Sequence, residues 1–193
     1  GYASAGLLAF VALNKYLYHL PLYRQEKMSV QWGARLSRKT MSDWIEIVAN
    51  WFEPVYGRMR QGLIEGGYVQ ADETPVRFAD PDIKKGKTTQ GYLWVISRPG
   101  GDVVFDWRLT RRHGEATTLL EGFEGLLQCD AYQAYQEFAA NNENVIRLAC
   151  WAHVRRKFVE TLGEEFSAEV ALILAQIGAL YGWERKWKGR LSP

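Results

Sequence analysis

The sequence is poor in cysteine, in long apolar runs and in net charge. Two cysteines, Cys129 and Cys150, are too few for a disulfide framework and point to a reducing cytoplasm. The opening apolar stretch, Ala5–Leu13, is far shorter than the roughly 20 residues of a membrane-spanning helix. No basic residue precedes it, so it lacks the form of a secretory signal. A helix packed on the rest of the chain, with no membrane partner, is the expectation. Internal repeats and low-complexity tracts are missing as well. A formal charge of +2 singles out no partner. Aromatic residues, in contrast, are abundant at 13 %, with eight tryptophans. At 193 residues the chain can fill one good-sized core, or a core domain and a small appendage.

The charge is unevenly spread. Residues 24–60 hold seven Lys/Arg against four Asp/Glu, 108–112 hold three Arg, and 155–157 read Arg-Arg-Lys. Such clusters suit phosphate-bearing ligands, and they equally suit solvated faces.

Residues 68–78 alternate apolar and polar in the period-2 pattern of a strand with one buried face. Asp72 and Glu73 interrupt the pattern. Side chains on a strand alternate faces, so only one of these acids can project into a site on a given side. A carboxylate in an apolar strand calls for a partner or a metal; a turn cap before Thr74-Pro75 is the plainer alternative for Asp72.

Residues 3–64 read as helical. A short helix runs from Leu22 to about Trp32 and ends at Gly33. A longer one carries Met41, Trp44, Ile45, Val48, Phe52, Val55 and Met59 as one stripe. Thr40 with Asp43 resembles a capping pair, and Pro54 is expected to kink or break the helix. Two helices around a tight turn, the second opening Ser-Arg-Lys-Thr, are compatible with a helix-turn-helix DNA reader that uses Arg38 and Lys39, and with any small helical bundle.

Strand patterns follow at 68–78, 92–97 and 103–109, with Pro99-Gly100-Gly101 as a hairpin signal. Gly86-Lys87-Thr88 is no phosphate loop, because position 81 is Pro where that pattern needs Gly. Then come a helix at 114–121, a strand at 126–129 ending in Asp130, a helix at 131–140, a strand at 145–149 and a basic helix from about Val154. A last helix at 167–188 is capped by Ser167. This order predicts an α/β fold, a ribonuclease-H-like mixed sheet flanked by helices. The expected layout is a helical region at 1–66, a partial catalytic core at 67–162 and the start of a C-terminal helical insertion at 163–193.

In that order the first and fourth strands are neighbours, so Asp72 and Asp130 could share Mg²⁺ or Mn²⁺, which prefer carboxylate oxygens and leave positions open for phosphate. Such a site needs a third acid. Glu184 continues the stripe of Ile177 and Tyr181, and reads equally as a surface charge paired with Lys188. Cys150 and His153 are too few ligands for zinc.

Four motifs, His19-Leu20-Pro21-Leu22-Tyr23-Arg24-Gln25, Ala71-Asp72-Glu73-Thr74-Pro75-Val76, Leu127-Gln128-Cys129-Asp130-Ala131-Tyr132-Gln133-Ala134-Tyr135 and Cys150-Trp151-Ala152-His153-Val154-Arg155-Arg156-Lys157-Phe158, resemble the insertion sequence 66 family of bacterial transposases. The resemblance implies a DDE-type DNA transposase with a ribonuclease-H-like catalytic domain. Asp72 and Asp130 match its first two acids and metal ligands. His153 would shape the site or touch DNA, and Arg155, Arg156 and Lys157 would hold its phosphates. DNA and further copies of the chain are the implied partners, and the bacterial nucleoid the implied location. The family's third Glu lies in an Asn-Asn-x-x-Glu motif beyond a helical insertion. Neither that motif nor the family's Cys-rich N-terminal part occurs here, so the chain is expected to be a fragment, and Glu184 matches an insertion helix instead. A ribonuclease-H-like nuclease and a non-catalytic DNA-binding remnant are the alternatives.

Overall fold

A computed structural model describes residues 3–80, 87–162 and 167–188. The chain divides into two compact units, Gly1–Arg58 and Met59–Pro193. The rejected phosphate-loop segment falls largely outside the described residues.

The first unit is helical, with α1 (Ala5–Tyr16), α2 (Leu22–Gln31) and most of α3 (Arg38–Ile64). Ser4 caps α1 by accepting the Leu7 N–H at 3.3 Å. Leu8 and Val11 of α1 meet Met41 and Trp44 of α3 in a small core, with Leu22, Ile45 and Val48 around it. Gln25 is buried beneath α1, where its amide donates to the carbonyls of Val11 at 3.3 Å and Leu20 at 3.0 Å. Gly33 turns the chain after α2 with φ at +77°, a conformation open to glycine.

For α3 the expected Thr40 cap and the expected break at Pro54 are not what the structure shows. The helix starts earlier than a Thr40 cap allows: Ser37 accepts the Thr40 N–H at 3.1 Å and takes the capping role. Asp43 instead pairs with Lys39 at 3.2 Å, one turn away. Pro54 does not break the helix, which spans 27 residues from Arg38 to Ile64. Proline removes one backbone bond, but the surrounding residues 50–58 are exposed, so water can take the freed carbonyl. The expected stripe is buried only in its first half, since Phe52 and Val55 face solvent.

The second unit is a five-stranded mixed sheet with helices. It comprises β1 (Tyr68–Phe78), β2 (Thr89–Ser97), β3 (Val103–Arg108), α4 (His113–Leu119), β4 (Gly125–Cys129), α5 (Gln133–Ala140), β5 (Val145–Ala149), α6 (Trp151–Leu162) and α7 (Ala168–Trp187). The strands lie in the order β3-β2-β1-β4-β5. The β3-β2-β1 part is antiparallel, and β1-β4-β5 is parallel. One face of the sheet is dry. There Val69, Ala71, Trp94, Ile96, Val104, Leu127 and Cys129 pack on Ala116 and Leu119 of α4 and on Ala134, Tyr135 and Phe138 of α5. The end of α3 adds Leu63 and Ile64 to the same core.

Gly125 permits the β1–β4 contact. Its φ is +122°, and a Cβ there would stand 2.1 Å from the backbone oxygen of Gly67. Leu126 then donates its N–H to that oxygen at 2.8 Å. Pairing of β1 with β4 spans only Tyr68–Gln70, whereas β1 stays paired with β2 out to Phe78. Pro75 therefore sits where β1 has a free edge, the place in a sheet that tolerates a residue without an N–H. Because the strand runs straight through Thr74-Pro75, Asp72 is not a turn cap.

Candidate functional site

Asp72 and Glu73 do point to opposite faces of β1. The Glu73 side chain is 1 % exposed and that of Asp72 47 % exposed. On the open face, Tyr68, Gln70 and Gln128 form a polar latch across β1 and β4. Gln70 donates to the Gln128 side-chain oxygen at 2.8 Å, and the Tyr68 hydroxyl donates to the same atom. Asp72 follows on this face. Its Oδ1 accepts the Glu73 N–H at 2.9 Å, and its Oδ2 lies 3.7 Å from His153 Nε2. That separation is too long for a hydrogen bond and is an ion pair only when the imidazole is protonated.

The register aligns the two acids. Gln70 is opposite Gln128 in the parallel pair, and Asp72 and Asp130 each come two residues later. Asp130 ends β4 in a local turn, with Oδ1 accepting the Tyr132 N–H at 2.8 Å. A cavity of about 420 Å³ opens beside it, lined among others by Arg111, Tyr132, Arg147, Cys150, His153 and Lys157. A smaller one, about 230 Å³, lies over Asp72, Gln70 and Gln128. Cys150 and His153 line both. These two residues come at the β5–α6 junction, where the Cys150 N–H bonds the Cys129 carbonyl at 2.9 Å and ties the start of α6 to the end of β4.

Of the basic residues, Arg111, Arg147 and Lys157 line the larger cavity. Lys157 lines it and reaches Glu160 at 3.0 Å on its own helix. Arg155 and Arg156 are exposed on α6. Arg147, on the edge strand β5, donates to the Asp130 carbonyl at 3.3 Å. Arg38 and Lys39 stand exposed at the start of α3, paired with Glu26 and Asp43 respectively.

On the dry face, Glu73 is the only charged residue among the buried described ones. Its Oε1 accepts Arg111 Nε at 2.8 Å and also Nη2, while Oε2 accepts the Tyr135 hydroxyl at 2.7 Å. Burial raises the Glu73 pKa, and the Tyr135 and Arg111 hydrogen bonds pull against it. Burial also pushes the Cys129 thiol up to about 11, so it is a packed thiol and not a nucleophile.

Sequence reasoning missed Arg111, Arg147 and the Glu73 partners. Arg111 had a visible signal in the basic run 108–112, and Tyr132 and Tyr135 lie in the Asp130 motif. Arg147 had none, being a lone base in a short strand. Glu184 is exposed on α7. Among the described residues no three His, Cys, Asp or Glu side chains converge as a metal-holding group, so Glu184 does not complete the pair.

Fold and site together define a mixed α/β domain with one acid within β1, another just past the end of the parallel strand β4, and a basic helix after β5. The sequence profile of the IS66 transposase family matches residues 1–192, and the chain belongs to that family. Among its relatives are three uncharacterized proteins of Sinorhizobium fredii. The protein y4jD is 34 % identical over 98 % of this chain, and y4qI is 34 % identical over 83 %. A third, y4hP, is 26 % identical over 83 % of the chain. The matched regions make up 39 %, 32 % and 30 % of those proteins' lengths, so the chain spans well under half of each. No helix among the described residues is long and apolar enough to cross a membrane.

Proposed function

We propose that this chain carries the first two acids of a DDE-type transposase with a ribonuclease-H-like core, an enzyme that cuts transposon ends and joins the 3′-hydroxyl to target DNA. The observation that supports this most is the β1–β4 register, which sets Asp72 and Asp130 at equivalent positions past the Gln70–Gln128 pair. Helix α6, beginning where β5 ends, brings His153 and Lys157 to the cavities that these acids line.

The donor set suits Mg²⁺ or Mn²⁺ in part. Two carboxylates are the hard oxygen ligands these ions favour, and each gives one oxygen to a backbone N–H, which holds it in place. The remaining ligands would be water, DNA phosphate or an acid from beyond the described residues. A cation bound there supplies activation of the attacking hydroxyl and stabilisation of the leaving oxygen. Asp72 and Asp130 would hold it. Arg147, Arg155, Arg156 and Lys157 would neutralise DNA phosphates, with His153 between the acids and the basic helix. These contacts give salt-dependent affinity that does not depend on sequence. Arg38 and Lys39 would add backbone contacts from the helical unit, and the active complex would contain more than one copy.

Calorimetric titration with Mn²⁺ tests the site. Saturable binding, lost in both Asp72→Ala and Asp130→Ala, is expected. Binding that ignores both substitutions would place these carboxylates in separate sites and overturn the reading. Among the described residues no group of three potential metal ligands is found, which favours a second reading, in which this stretch binds DNA without cutting it. End-labelled DNA separates the readings: strand-transfer product indicates a transposase, hydrolysis alone a nuclease, and a shifted band without product the non-catalytic form.

A further inference from the structure

The two faces of β1 are linked through a chain of contacts that ends at Asp130. Arg111 reaches across from the segment after β3, and Glu73 Oε1 receives two of its donors. The guanidinium lies over the Tyr132 ring, 4.0 Å from its centroid, and the Tyr132 hydroxyl donates to the Arg111 carbonyl. Tyr132 is thus held at both ends, its ring under the Arg111 side chain and its hydroxyl on the Arg111 backbone. Its own N–H is the donor to Asp130 Oδ1 at 2.8 Å. Tyr135, which fixes the other oxygen of Glu73, also meets the Tyr132 ring edge-on at 6.1 Å.

We propose that Glu73 and Arg111 are positioning residues for Asp130. Glu73 fixes the guanidinium, the guanidinium fixes the Tyr132 ring, and the Tyr132 N–H then holds one oxygen of Asp130 so that the other faces the cavity. Neither Glu73 nor Arg111 ligates a metal in this arrangement. The adjacent acids Asp72 and Glu73 thereby serve the same site from opposite sides of one strand, the first as a ligand and the second through three intervening contacts. The Glu73 end of this ion pair is buried and both of its oxygens accept hydrogen bonds, which ties the guanidinium to one place. Outer-shell partners of metal-binding carboxylates commonly change metal affinity by about 10- to 100-fold. This assignment rests on the proposed metal role of Asp130, and its test is chosen so that the two can fail separately.

The test compares the chain with Glu73→Gln, Arg111→Ala and Arg111→Lys by amide hydrogen exchange and by Mn²⁺ titration. In Glu73→Gln and Arg111→Ala the Tyr132 amide is expected to exchange about tenfold faster, as when one hydrogen bond to a charged acceptor is lost. The amides of Trp94 and Ile96 should keep their protection. The Mn²⁺ dissociation constant should rise about tenfold or more. Arg111→Lys keeps the charge opposite Glu73, and so the fold, but cannot lie flat on the ring. It should therefore behave like Arg111→Ala at Tyr132. A Tyr132 amide that is unmoved in all three variants, or one that accelerates only together with Trp94 and Ile96, overturns the proposal. Wild-type exchange in Arg111→Lys overturns the ring contact as the link. Selective exposure of Tyr132 in a chain that binds no Mn²⁺ would uphold the positioning link and remove the metal-site reading.

Discussion

The two faces of β1 treat a carboxylate in opposite ways. On the open face Asp72 keeps nearly half of its side-chain surface in water and has one backbone donor and a distant imidazole. On the dry face Glu73 is all but sealed and has three donors from two residues. The difference teaches what each acid can do. A carboxylate whose lone pairs are spent on protein donors cannot ligate an ion, whereas one left partly hydrated can exchange water for a cation. Burial and partner count thus divide two adjacent acids into one spent on protein contacts and one left open to solvent.

The comparison can be broken most completely at the base of both faces. Gly125→Ala would drive a Cβ into the Gly67 backbone, and no flexible side chain is there to yield. The β1–β4 register, and with it the Asp72–Asp130 alignment, should be lost at a cost of more than about 4 kcal/mol, read as collapse of cooperative urea unfolding. Tyr135→Phe attacks the dry face alone. It leaves Glu73 Oε2 without its buried donor and should cost about 1–3 kcal/mol in the same assay.

A pH series sharpens the contrast further. The folded pKa of Glu73 is raised, so between its unfolded and folded values the folded chain binds more protons. Stability from this group therefore falls as pH rises through the window just above 4.5, and is level on either side of it. Subtracting the unfolding curve of Glu73→Gln from that of the parent should isolate this slope; parallel curves would show that Glu73 is not held in a dry site. The smallest effect is expected on the open face. Asp72→Asn should change stability by less than about 0.5 kcal/mol while abolishing Mn²⁺ binding. A large loss of stability there would mean that both faces of β1 are structural.

Much of this division was legible in the sequence. Alternation around residues 69–76 placed Asp72 and Glu73 on opposite faces, and the order of strands and helices put β1 beside β4. The ends of most elements fell within a few residues of those observed. What could not be read was which residue outside the strand reaches the buried acid. Arg111 lies 38 positions from Glu73 in sequence, and only the packing of α4 and α5 on the sheet brings them together. The helix through Pro54 escaped for a related reason: local propensity argues for a break, whereas exposure of the preceding turn lets water take the carbonyl that the proline leaves free. The Thr40 cap is displaced because Ser37, three residues earlier, offers an equivalent hydroxyl to the Thr40 N–H and starts the helix sooner.

The adjacency of the two acids also acts as a length gauge. If β1 slipped by one residue against its neighbours, every side chain would change face, and in one direction Asp72 would take the place of Glu73. The hydrophobic pattern would object, and so would geometry. Aspartate is one methylene shorter, so from the place of Glu73 it would fall short of Arg111 and Tyr135. A single carbon thus helps to distinguish the observed register from the slipped one, and the placing of the open-face acid is proofread by the acid beside it.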